Sequence, residues 1–105
     1  MITKAQAKRD AIRKWEFIVD MAPSILDIKK HNREWETVLM HWLLQCHPDM
    51  ITYIHNSMCA FCYKYGCEND CPLVACSGDK SLYHKWYKDP SLRNAKAMLK
   101  KIKGI

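Results

Sequence analysis

Residues 59–76 read CAFCYKYGCENDCPLVAC, and this segment holds five of the six cysteines of a 105-residue chain. The spacing of the cysteines is C-x2-C-x4-C-x3-C-x4-C. A segment so short and irregular buries too little apolar surface to be stable without a cross-link. We therefore predict that cysteine thiolates bound to a metal ion hold this loop together.

The cysteine spacing supplies enough ligands for one tetrahedral site. A C-x2-C pair provides two ligands from one turn, and Cys59 with Cys62 is such a pair. The second pair comes from the three remaining cysteines of the segment, which are Cys67, Cys71 and Cys76. We favour Cys71 with Cys76, and Cys67 in place of Cys76 is almost equally good.

The predicted metal is Zn²⁺, with an iron–sulfur cluster as the alternative, because such clusters also take four cysteines. Two nearby histidines, His55 and His84, are substitute ligands. A site closed by four thiolates leaves no position for water, so the site is predicted to be structural and not catalytic. Disulfides are disfavoured, because the chain begins without an apolar signal segment and a cytoplasmic location keeps thiols reduced.

The hydrophobic spacing predicts a mostly α fold of about four helices, clamped by the cysteine-rich metal loop. We expect one domain over residues 1–105, with a helical part at 1–58, the metal loop at 59–86 and a basic helix at 87–105. No stretch is long and apolar enough to predict a membrane span.

The N-terminal half is predicted to contain two helices and a shorter segment between them. The first helix runs from Lys4 to about Ala22, is capped by Thr3 and is stopped by Pro23. Its predicted buried face consists of Ala5, Ile12, Trp15, Val19 and Ala22. Ser24 is the predicted cap of the short segment.

The next strong helical pattern runs from Arg33 to Cys46, for which Asn32 is a candidate cap. Trp35 and Trp42 are seven residues apart and are expected to lie in the core, with a twin subunit as the alternative. Cys46 is expected to be a buried small hydrophobic residue.

Three shorter patterns complete the prediction. A helix beginning at Pro48 is expected to turn three apolar side chains inward, those of Ile51, Ile54 and Met58. Ser81 to Trp86 is expected to form one helical turn. The last helix is expected to begin with Asp89 as its cap and to end at Gly104, with an apolar stripe formed by Leu92, Ala95, Leu99 and Ile102.

The net charge of +6 is unevenly distributed. Residues 1–14 hold five basic and one acidic side chain, residues 15–79 hold four and nine, and residues 80–105 hold eight and one. Two basic groups are candidate binding residues for nucleic acid or an acidic protein. The C-terminal group is Arg93, Lys96, Lys100 and Lys103, and the N-terminal group is Lys8, Arg9, Arg13 and Lys14.

The segment from Cys59 to Trp86 resembles a loose group of small cysteine-rich proteins encoded by bacteriophages. The shared features are the C-x2-C pair, a later Cys-Pro, a further cysteine and a run of aromatic residues around a tryptophan. These features are here Cys59 and Cys62, Cys71-Pro72, Cys76, and residues 83–87, which read YHKWY. The x3 spacing between Cys67 and Cys71 departs from the x2 pairing of that group. The resemblance implies a phage origin and a bound metal, and it implies no particular activity.

These features predict a non-enzymatic binding protein. The sequence contains no phosphate-binding loop, no H-E-x-x-H and no G-x-S-x-G motif. The favoured hypothesis is a phage effector in the host cytoplasm that docks on a host protein, a nucleoprotein complex or a defence complex and modulates it. The alternative is a sequence-nonspecific nucleic-acid-binding protein that uses its basic terminal helices.

Overall fold

The computed structural model describes residues 2–56, 58–65 and 82–105. These residues form six α-helices, one 3-10 helix and no strand. The α-helices are α1 (Lys4–Asp20), α2 (Ala22–His31), α3 (Trp35–Cys46), α4 (Ala60–Tyr65), α5 (Leu82–Lys88) and α6 (Leu92–Lys103), and the 3-10 helix spans Pro48–Asn56. The predicted mostly helical fold is confirmed for this part of the chain. None of the helices described is long and apolar enough to span a membrane.

Helix α1 is the central element, because α2, α4 and α6 all pack against it. Its predicted cap is confirmed, since Thr3 Oγ1 accepts a hydrogen bond from the Gln6 N–H at 3.1 Å. The predicted buried face is only partly right, because Trp15 is buried and Ala5 is exposed. A helix with neighbours on three sides buries a broad surface, and its buried residues are Ala7, Asp10, Ala11, Lys14, Trp15, Phe17 and Ile18.

Helix α2 begins at Ala22, two residues before its predicted cap at Ser24. Pro23 therefore lies in the first turn of α2, where a missing N–H costs no intrahelical hydrogen bond. Asn32 ends α2 and does not cap α3. Its Oδ1 accepts a hydrogen bond from the Glu34 N–H at 2.8 Å, and this turn leads into α3.

Helix α3 buries Trp35, Leu39 and Leu43, which recur every four residues, and Trp42 packs against the edge of the same core. The expectation of a buried Cys46 is wrong, because this residue is exposed. The buried row ends at Leu43, and the chain leaves the helix immediately after Cys46.

The 3-10 helix presents different residues to the core from those predicted. Ile51 and Ile54 are 52% and 47% exposed, whereas Met50 and Tyr53 are 1% and 2% exposed. Side chains three residues apart align in a 3-10 helix, so Met50 and Tyr53 form one row. Met58 is buried as expected.

Helices α5 and α6 pack against each other. The single turn predicted near Trp86 extends to Lys88, and Trp86 is buried. The cap of α6 is Ser91 and not Asp89, since Ser91 Oγ accepts a hydrogen bond from the Asn94 N–H at 3.3 Å. The predicted apolar stripe of α6 is partly right, because Ala95 and Ile102 are buried, Met98 is buried with them, and Leu92 is 43% exposed.

Candidate functional site

The predicted metal centre begins at the first turn of α4. Cys59 is half-buried immediately before the helix, and its carbonyl oxygen accepts a hydrogen bond from the Tyr63 N–H at 3.0 Å. Cys62 lies in the first turn of α4, three residues later. Two cysteines with this spacing in one turn fit half of a tetrahedral zinc site.

The other predicted ligands are distributed as follows. Cys67, Cys71 and Cys76 lie outside the described residues. His84 is half-buried on α5, and the backbone of His55 belongs to the 3-10 helix. Over residues 2–56, 58–65 and 82–105, no three or more His, Cys, Asp or Glu side chains are grouped so as to hold a metal ion. The metal centre and the identity of its metal therefore stay predictions.

Helix α6 carries the clearest candidate binding surface. Five of its twelve residues are basic and none is acidic. All five basic side chains are exposed, and they are Arg93, Lys96, Lys100, Lys101 and Lys103. In the part of the chain that the structure describes, none of them makes a side-chain hydrogen bond or ion pair. We call this set the basic face of α6.

The basic face contains all four residues predicted from the C-terminal stripe. Arg93, Lys96, Lys100 and Lys103 are spaced three or four residues apart, so they lie along one side of the helix over about 15 Å. Unpaired cations held so close together repel one another, and an anionic surface would relieve that repulsion.

The four predicted N-terminal residues do not form a matching surface. Lys8 donates a hydrogen bond from Nζ to the carbonyl oxygen of Ile105 at 2.9 Å, which brings it near the end of α6. The side chain of Arg9 is 68% exposed. Lys14 is 7% exposed and lies over the Trp15 ring, with its Nζ 5.5 Å from the ring centroid.

Arg13 is held by two carboxylates. Its Nη1 lies 2.7 Å from Asp49 Oδ2 and 3.0 Å from Asp10 Oδ1, and its Nη2 lies 3.0 Å from Asp49 Oδ1. These hydrogen bonds raise the pKa of Arg13 and lower the pKa of Asp49. Arg13 therefore joins α1 to the 3-10 helix, and much of its charge is already compensated inside the protein.

The same cluster contains His47 and Tyr53. Arg13 Nη2 lies 3.1 Å from His47 Nδ1, and a guanidinium only donates, so Nδ1 accepts this hydrogen bond. The Tyr53 hydroxyl donates to Asp10 Oδ2. Burial, followed by the hydrogen bond to Asp10, raises the pKa of Tyr53.

This polar cluster cannot be recognised from the sequence pattern. Asp49 lies 36 residues from Arg13, and Tyr53 lies 43 residues from Asp10. The only local signal is the three-residue spacing between Asp10 and Arg13, which is common on helix surfaces.

An aromatic cluster joins α1, α3 and α5. Trp86 meets Trp15 and Trp35 at ring-centroid distances of 5.0 Å and 5.6 Å. Lys29 Nζ lies 5.5 Å from the Trp35 ring centroid and donates hydrogen bonds to the carbonyl oxygens of Tyr87 and Lys88. A lysine at the last carbonyls of α5 stabilises the end of that helix.

Comparisons of the chain with protein-family models, with curated proteins and with solved structures find no match.

Proposed function

We propose that this protein is a metal-stabilised, non-enzymatic binding protein that docks through the basic face of α6 on an acidic surface of another protein or nucleoprotein complex. The observation that carries the proposal is a helix without a carboxylate that exposes five cations, none of which pairs with another described side chain. The resemblance of the cysteine-rich segment to phage proteins suggests that the partner is a host protein or a defence complex.

The proposed docking surface is narrower than the one predicted from the sequence. Arg13 and Lys14 are excluded from it, because one is bound to two carboxylates and the other is buried. The basic face of α6 remains, and Lys8 lies near its C-terminal end. Charged groups at the rim of an interface mainly accelerate association and select the partner, so we expect binding that weakens as salt is added.

A second candidate function is sequence-nonspecific binding of nucleic acid. Two tyrosine side chains favour it, because Tyr63 and Tyr87 are 39% and 40% exposed and tyrosine rings can stack on bases. Phosphates would then occupy the basic face of α6, and the affinity would fall steeply with salt.

The test is capture of partners by the tagged protein from bacterial lysate, with and without nuclease treatment. Arg93→Gln/Lys96→Gln removes one arginine and one lysine from the basic face. Lys30→Gln/Arg33→Gln is the matched control, because it removes the same two residue types from exposed positions outside α6. We expect one stoichiometric protein that survives nuclease, is lost with the α6 variant and is retained by the control variant.

Two results would contradict this function. A partner that disappears after nuclease treatment would identify the protein as a nucleic-acid binder instead. Equal capture by the α6 variant and the control variant would exclude the basic face as the docking surface.

A further inference from the structure

A shallow groove of about 390 Å³ lies at the C-terminal end of the basic face of α6. Its lining comes from α5, from α6 and from the two residues that follow α6, and consists of Leu82, Ala97, Lys100, Lys101, Gly104 and Ile105. The volume is at the lower end of the range for ligand-binding sites in proteins.

The groove combines an aliphatic floor with a cationic rim. Leu82, Ala97 and Ile105 are half-buried, whereas Lys100 and Lys101 are exposed. Ala97 precedes the two lysines by three and four residues, so all three lie on the same side of α6. Lys100 and Lys101 also belong to the basic face, so the groove and that face form one continuous surface.

We propose that this groove binds an acidic segment of a partner protein that inserts one aliphatic side chain against Leu82 and Ala97. Carboxylates next to the inserted side chain would pair with Lys100 and Lys101. This inference rests on the proposed function and specifies the chemistry of the partner. It corresponds to a known mode of peptide recognition, in which apolar anchors enter a groove and flanking charges set the orientation.

The composition of the groove favours a protein over a nucleic acid. Phosphates would satisfy Lys100 and Lys101, but a nucleic acid has no aliphatic side chain to cover Leu82, Ala97 and Ile105. Bases bind best by stacking on aromatic rings, and none of the lining residues that the structure describes is aromatic.

The test uses two fluorescently labelled peptides and one oligonucleotide. The first peptide is glutamate-rich with a central leucine, and the second has serine in place of that leucine. A labelled single-stranded oligothymidine is the nucleic-acid probe. We expect the wild-type protein to bind the leucine peptide at least about tenfold more tightly than the serine peptide, as burial of one leucine side chain allows.

Two variants test the aliphatic floor of the groove and its cationic rim separately. Ala97→Phe fills the groove and leaves every cation in place, so we expect it to abolish the preference for leucine and to retain weak, salt-sensitive binding of both peptides. Thr37→Phe is the control, because it adds the same ring at an exposed position on α3. Lys101→Gln is expected to weaken both peptides and to keep the preference for leucine.

Two outcomes would overturn the inference. Equal affinity of the wild-type protein for the two peptides would exclude the groove and leave docking through charge intact. Oligothymidine that binds more tightly than the leucine peptide, with no response to Ala97→Phe, would assign the surface to nucleic acid. The preference for leucine depends on the groove, whereas the Arg93→Gln/Lys96→Gln variant tests the basic face outside it, so the two proposals can fail separately.

Discussion

Asp10 is 4% exposed, and a carboxylate at that depth is tolerated only if its oxygens are hydrogen-bonded. The Tyr53 hydroxyl binds one oxygen and Arg13 binds the other. Tyr53 thereby tethers α1 to the 3-10 helix, and Arg13 lies one turn after Asp10 on α1. These specific contacts offset the cost of burying the charge. Such a residue cannot be located from hydrophobic spacing, because the pattern assigns charged residues to the surface.

We predict that Tyr53→Phe lowers the free energy of unfolding by about 1.5–3 kcal/mol at neutral pH, because a buried carboxylate loses one of its hydrogen-bond donors. Chemical denaturation monitored by circular dichroism measures this loss. Tyr63→Phe is the control, because the Tyr63 ring lies next to the Tyr53 ring, with 5.3 Å between their centroids, but Tyr63 is 39% exposed. A larger loss in the Tyr63 variant would contradict this account.

The raised pKa of Tyr53 makes the same pair sensitive to alkaline pH. A phenol with a raised pKa in the folded state contributes stability that is fully present below the ordinary pKa of about 10 and is lost as pH rises beyond it. The stability difference between wild type and Tyr53→Phe should therefore shrink above about pH 10, as the unfolded wild-type chain ionises. If the stability difference between wild type and Tyr53→Phe stayed constant above about pH 10, folding would not be suppressing the ionisation of Tyr53.

Gly104 ends α6 as predicted, but it does not adopt the left-handed conformation in which glycine commonly ends a helix. Its φ of −84° is open to any residue, and an added Cβ would lie 3.6 Å from the carbonyl oxygens of Lys100 and Lys101, an ordinary contact. We predict that Gly104→Ala stabilises the protein by up to about 1 kcal/mol, because it restricts the unfolded chain. A lower melting temperature in this variant would indicate that the helix ends in a left-handed conformation after all.

Among the elements, helix α4 was not predicted, because its residues were assigned to the metal loop at 59–86. For the other helices, the position along the chain was predicted more reliably than the buried face. Ile51 and Ile54 were predicted to face inward because α-helical spacing was applied to the segment that begins at Pro48. The segment is a 3-10 helix, and its buried residues are Met50 and Tyr53. The apolar residues of this segment can be buried either as Ile51 and Ile54 or as Met50 and Tyr53. Packing against α3 and α4 selects between them, and the sequence of the segment does not contain that information.

The start of α6 separates two candidate caps. Ser91 Oγ accepts the Asn94 N–H, whereas the Asp89 carboxylate lies 3.4 Å from the exposed side-chain amide of Asn94. We predict that Ser91→Ala costs about 1 kcal/mol of stability. Asp89→Ala should cost less than half as much, because its bond is long and exposed. Urea denaturation of both variants measures the difference, and the reverse order would restore Asp89 as the cap.

Across the whole chain, the basic stripe of α6 was predictable from the sequence, whereas the polar cluster around Arg13 was not. The basic stripe of α6 could be read from spacing alone, since a helix that buries Ala95, Met98 and Ile102 must expose the positions between them. The N-terminal basic residues were predicted to form a second binding group because they are close to one another in sequence. Their different environments arise from contacts with Asp49 and with the end of the chain, which no local pattern encodes.

A metal bound by the predicted cysteine ligands would connect the cysteine-rich segment to the core through α4. This helix has six residues, too few to be stable without tertiary contacts, and it packs against α1 and the 3-10 helix. Ala60 and Phe61, which lie between Cys59 and Cys62, are 2% and 1% exposed. A metal that fixed the two cysteines would therefore also fix the burial of Phe61.

We predict one zinc ion per chain and its loss in Cys59→Ser and in Cys62→Ser, measured by elemental analysis and native mass spectrometry. Each variant should lose roughly 3 kcal/mol or more of stability, because binding of a structural zinc contributes directly to folding. Cys46→Ser is the control, since this exposed cysteine lies outside the predicted ligand set and its replacement should leave the metal content unchanged.

Hydrogen exchange locates the effect of metal removal. Helices α1 and α6 pack directly against each other, whereas the predicted ligands Cys59 and Cys62 lie directly before α4 and within it. A chelator should therefore deprotect the amides of residues 60–65 first and leave α1 and α6 largely protected. Iron in place of zinc would favour the cluster alternative and keep the structural role. Full folding and unchanged melting of metal-free Cys59→Ser would contradict a structural metal, and the burial of Phe61 alone would then have to hold α4 in place.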